Sequence, residues 1–96
     1  MEEVFLVKSE EKSKAELALR GDDLVGRQSI TIKLASALGM KEDGYFIIVN
    51  GSDEAMKKVK ELLKGIAEKY KDKENVLKKV AEEEDIAIEG FGNILG

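Results

Sequence analysis

An α+β domain is the fold class that the sequence predicts: a small mixed or antiparallel sheet of about four strands with two to three helices packed on it. Three observations carry this prediction. Residues 53–70 place Ala55, Met56, Val59, Leu62, Leu63, Ile66, Ala67 and Tyr70 on one helical stripe, with lysines and glutamates on the other faces. Tyr45 to Val49 are apolar on both sides of the pleat, the pattern of a central strand covered on two faces. Val4-Phe-Leu-Val7 is a short β-prone run.

Taken in order, Val4–Val7 predicts a first strand, and residues 15–20 put Ala15, Leu17 and Leu19 on one face of a second. The polar Ser9–Ser13 between them predicts a hairpin loop. Gly21-Asp22-Asp23 then supplies a turn and an N-cap, after which Ile30, Leu34, Ala37 and Leu38 recur at helical spacing and Gly39 offers a C-cap. A helix is expected there, with a strand over Ser29–Lys33 as its rival, because Ile30, Thr31 and Ile32 are β-branched and Ile32 departs from the helical stripe. Gly44–Asn50 is the central strand. Ser52 caps the helix that follows, with Asp53 and Glu54 in its first turn, where the macrodipole favours acid. Lys71–Asn75 interrupts the stripe, so a second helix carrying Val76, Leu77, Val80 and Ala81 is expected, capped by Asp72 or Asn75, with one long bent helix as the alternative. Ile86 and Ile88 predict a final strand leading into Gly90–Gly96. The order is β-β-α-β-α-α-β, with ferredoxin-like architecture as the nearest analogy and no function implied by it.

Ninety-six residues allow one hydrophobic core, so a single domain over 1–96 is expected. The chain contains no cysteine and no histidine, which removes thiolates, imidazole bases and most nitrogen- or sulfur-ligated metal sites. No cofactor is expected. A net charge of −4, with no strongly basic stretch standing apart from acidic neighbours, repels phosphate backbones, so nucleic acid is not an expected partner. The longest apolar stretch, Tyr45–Val49, is far shorter than the roughly 20 residues of a bilayer span, and no membrane association is expected. Met1-Glu2-Glu3 puts acid where a secretory signal carries positive charge, so a cytoplasmic location is expected. Richness in lysine and glutamate is a composition reported for heat-adapted proteins.

Two stretches are candidates for a site. The chain's two arginines, Arg20 and Arg27, bracket a loop with two glycines, and their planar forks suit a small carboxylate or phosphate. Asp22 and Asp23 in the same loop offer oxygen ligands to a hard cation, although calcium-loop spacing is missing. The competing structural reading has Asp23 capping the following helix and Arg20 pairing with Asp22. The second stretch is Gly90–Gly96, whose Phe91, Ile94 and Leu95 call for a partner surface: the domain's own core, a second subunit or a ligand. Asn50-Gly51-Ser52 lacks the glycines and lysine of a phosphate loop and is explained by capping, and Glu82–Asp85 reads as a solvated charge run.

These features point to a non-catalytic binding or regulatory module that self-associates through a sheet edge or the C-terminal segment into a homo-oligomer, with a small anion held near Arg20 and Arg27. The alternatives are a small metal–phosphate enzyme using Asp22 and Asp23, and an adaptor whose lysine-rich helix face (Lys57, Lys58, Lys60, Lys64, Lys69) docks an acidic partner protein.

Overall fold

The structure, a computed structural model, describes residues 1–82. Its strands are β1 (Glu2–Val7), β2 (Ser29–Leu34), β3 (Tyr45–Asn50) and β4 (Ala67–Lys69), and its helices are α1 (Lys12–Arg20), α2 (Asp53–Leu62) and α3, helical over 73–82. They form one four-stranded sheet in the order β2-β3-β1-β4, antiparallel at every junction. The class is α+β, and through β4 the element order is β-α-β-β-α-β, which ferredoxin-like domains share by analogy.

The central strands are buried on both faces. Phe5, Val7, Ile47 and Val49 point toward α1 and α2, where they pack with Ala15, Leu19, Met56, Val59 and Leu63. Val4, Phe46 and Ile48 point to the other face, where Val76 and Val80 of α3 cover them together with Ala35 and Leu38. Each valine, leucine, isoleucine, phenylalanine or methionine side chain among these, fully removed from water, contributes about 1.5–3 kcal/mol. Phe46 and Tyr70 meet edge to face with ring centroids 4.8 Å apart, and the Tyr70 hydroxyl donates to Glu42 Oε2 at 2.6 Å. That bond to a carboxylate, aided by burial, pushes the Tyr70 pKa up to about 12.

Three segments depart from the expected assignment. Residues 15–20 belong to α1 rather than to a strand: Ala15 and Leu19, one helical turn apart, are fully buried, while Leu17 between them is 75% exposed. Lys12, Glu16 and Arg20 sit four apart and pair along the helix, which adds local support. Residues 29–34 form β2 rather than a helix, since the β-branched run lays Ile30 and Ile32 against the core through Val49 and Ile47. Of the residues at helical spacing, Ala37 and Leu38 belong to a single 3-10 turn over Ala35–Leu38, closed as expected by Gly39 with φ of 73°.

The third departure is at 53–70. Ser52 accepts from the Ala55 amide at 3.2 Å and starts α2 as expected, but α2 ends at Leu62. Gly65, with φ of 78°, then turns the chain into β4. The stripe's Ile66 and Ala67 reach the same cluster from this turn and strand. The second helix exists as α3, preceded by Asp72, and lies on the opposite face of the sheet from α2. The expected strand around Ile86 and Ile88, and the candidate interface residues Phe91, Ile94 and Leu95, lie outside the described residues.

Candidate functional site

The end of α1 and the loop that leads to β2 hold four of the expected site residues, and two of them, Arg20 and Asp22, have polar partners. Asp22 accepts the amides of Leu24 and Val25 on Oδ1, both at 3.0 Å, and its carbonyl accepts Gly26 N–H at 2.8 Å. Asp22, not Asp23, is therefore the capping residue, and it organises the 3-10 turn Val25–Arg27 that drops Val25 into the core. Its second oxygen faces Lys58 Nζ at 3.9 Å. Asp23 is exposed. Arg20 pairs with Glu16 rather than with Asp22, Nε donating to Oε2 at 3.0 Å, and Lys12 approaches the same carboxylate at 3.3 Å. Hydrogen bonds from Arg20 and then Lys12 hold the Glu16 carboxyl below its ordinary pKa. Arg27 is exposed at the end of the 3-10 turn. Lys57, Lys58, Lys60 and Lys64 form an exposed face on and just after α2, whereas Lys69 turns to Glu3. No cluster of three or more acidic side chains suited to a metal ion occurs among the described residues.

Glu3 was legible only as part of an acidic N-terminus, yet its side chain is 10% exposed and sits between Lys69 Nζ at 3.3 Å and Lys73 Nζ at 3.8 Å. The contact to Lys69 is a charge pairing without hydrogen-bond geometry, so Oε2 has no hydrogen-bond partner. Lys73 also donates to the Glu2 carbonyl at 3.1 Å. These contacts share one physical origin. β4 pairs with β1 only over Phe5–Val7, the Tyr70 amide adds one bond to the Val4 carbonyl at 2.9 Å, and the chain then crosses beneath β1 to α3. The Lys73 ammonium takes the Glu2 carbonyl that a longer β4 would have bonded. A cleft of about 330 Å³ opens there between Glu3, Lys69, Lys71 and Asp72, with charges of both signs on its walls.

The sheet order leaves two outer edges, and they differ. β4 is three residues long and carries Glu68 and Lys69, the short charged form that discourages further pairing. β2 is six residues long, Ser-Ile-Thr-Ile-Lys-Leu, without proline or glycine, and no strand pairs with its outer side among the described residues. Which of its backbone groups face outward follows from the ladder. The Ala35 amide bonds the Gly44 carbonyl at 2.9 Å, one step past Leu34↔Tyr45 in the β2–β3 register. Bonded pairs alternate along an antiparallel ladder, so Lys33, Thr31 and Ser29 bond β3, and Ile30, Ile32 and Leu34 direct their N–H and C=O away from the sheet. The side chains of Ile30 and Ile32 pack under the α1/α2 face, and Leu34 on the same row is 40% exposed. On the other face Thr31 and Ser29 border a groove of about 350 Å³ walled by Leu77, Val80 and Ala81 of α3.

Among the described residues this edge, rather than the arginine loop, presents a row of backbone donors and acceptors with no strand paired to it. The alternation of Ser29–Lys33 signalled a strand in the sequence, and the sheet order places it at the edge. Among the described residues no helix is long and apolar enough to cross a membrane. No family model, curated protein or solved structure matches the chain.

Proposed function

We propose that this chain is a non-catalytic interaction module that associates by adding a strand to the outer edge of β2, with self-association as its principal form. One observation supports the reading: Ile30, Ile32 and Leu34 present their amides and carbonyls outward from a six-residue edge strand that carries one charged residue, Lys33, and has no strand paired with its outer side among the described residues. The other edge of the same sheet is short and charged, so the contrast lies within one molecule. Arg20 and Arg27 remain the place for a small anion, with Arg27 the more available of the two because Glu16 holds Arg20 through Nε. The metal–phosphate alternative has less support, because Asp22 Oδ1 is engaged by the Leu24 and Val25 amides.

Native mass spectrometry of the full chain at micromolar concentration tests the reading. An oligomer is expected, and a phosphate ion retained in it would be lost in Arg27→Ala. A strictly monomeric chain would remove the main support for association.

A further inference from the structure

Resting on the proposed association through β2, the geometry points to the occupant of that edge: β2 of a second copy, antiparallel about a two-fold axis at Ile32, so that two sheets join into one. The argument is one of register. An antiparallel partner must place its outward-facing residues opposite Ile30, Ile32 and Leu34, because only those groups are available to bond. For two identical strands this limits the choice to registers that pair even-numbered residues with even-numbered residues, which also keeps each side chain on its own face of the sheet.

Among these registers one satisfies the whole edge. With Ile32 opposite Ile32 of the second copy, Ile30 faces Leu34 and Leu34 faces Ile30, so every outward amide and carbonyl of β2 finds a partner. The half-exposed Leu34 is then covered by the isoleucine of the other copy. On the α3 face Thr31 lies opposite Lys33, a pairing without charge repulsion. Shifting the axis one way, to Lys33, sets Ile30 against Ser36, outside the strand. Shifting it the other way, to Thr31, sets Leu34 against Gln28, outside the strand. The edge is thus self-complementary in this register, which favours a second copy of this chain as its occupant.

Site-directed disulfides test the register, and the chain contains no cysteine to interfere. In the inferred pairing Thr31 and Lys33 form a non-hydrogen-bonded pair with Cα atoms about 4.5 Å apart, within disulfide reach. Thr31 is diagonal to its own symmetry mate and beyond that reach. Oxidising a mixture of Thr31→Cys and Lys33→Cys chains should therefore cross-link unlike chains, and either variant alone should stay uncrosslinked. Ile32→Cys, at the axis, should cross-link to itself. A dimer in which the Thr31→Cys chains join each other, or in which none of the three positions cross-links, overturns this inference while leaving association itself intact. Variants that sediment as monomers at every concentration, like the unsubstituted chain, overturn both the inference and the reading beneath it. Slow amide exchange of Ile30, Ile32 and Leu34 in such a monomer would show that the chain's own residues cover the edge.

Discussion

Proline at two adjacent positions of β2 should give opposite phenotypes, because the ladder points neighbouring amides in opposite directions. Ile32 directs its N–H away from the sheet, so Ile32→Pro removes no bond to β3, and an edge strand tolerates proline at such a position. Its cost to the monomer is the loss of a half-buried side chain under the α1/α2 cluster, about 1–2 kcal/mol. In the dimer both copies lose the donor at the centre of the interface. At about 0.5–1.5 kcal/mol per bond this weakens association by about 1–3 kcal/mol, a factor of about five to more than a hundred, before the two rings crowd the facing carbonyls. Thr31→Pro instead removes the amide that bonds the Ile48 carbonyl within the sheet, stranding a buried acceptor at a cost of about 1–3 kcal/mol on top of ring strain. Thermal unfolding followed by circular dichroism, with sedimentation velocity over a concentration series, separates the two effects. Ile32→Pro should fold and fail to associate, while Thr31→Pro should lose the fold. An Ile32→Pro chain that associates as tightly as the original would refute the reasoning.

Three further outcomes follow from the contacts. Replacing both Lys69 and Lys73 by alanine strands the carboxylate of Glu3 and should cost about 2 kcal/mol or more in chemical denaturation, whereas Glu3→Leu should stay within about 1 kcal/mol of the original because both lysine heads reach water. Tyr70 should ionise near pH 12, and Glu42→Gln should bring it down, as read from tyrosinate absorbance in a Tyr45→Phe background. Since the folded pKa is raised, the Tyr70 contribution to stability is fully present below the unfolded value of about 10 and is lost as pH climbs through about 12. Gly44→Ala should be far more damaging than Gly39→Ala in the same unfolding assay: a Cβ at Gly44 would lie 2.2 Å from the Val7 carbonyl oxygen, while the space around Gly39 is open and only its positive φ is strained.

How far the sequence carried depends on which property each element expresses. β3 and the first turns of α2 were legible because burial on two faces and a capped amphipathic stripe are written in consecutive residues. α1 was obscured because Ala15, Leu17 and Leu19 alternate as a strand would, and only tertiary packing shows that Leu17 faces solvent. β2 was obscured in the opposite sense, its own alternation being masked by the helical spacing of the 3-10 turn that follows. The Arg20–Glu16 pair was open to reading from its four-residue spacing, although the expectation looked to Asp22 instead. The edge character of β2 and the burial of Glu3 were not open to reading at all. The first is a property of strand order, and the second arises from residues near position 70 crossing beneath the N-terminal strand.

Amide hydrogen exchange of the full chain, measured residue by residue at high and low protein concentration, tests the central claim most directly. Thr31 and Lys33 bond β3 and should be protected at both concentrations. Ile30, Ile32 and Leu34 should be protected at high concentration and exchange rapidly on dilution, as the second strand leaves. Rapid exchange of these three amides at every concentration, or protection that dilution does not change, would contradict association through the β2 edge.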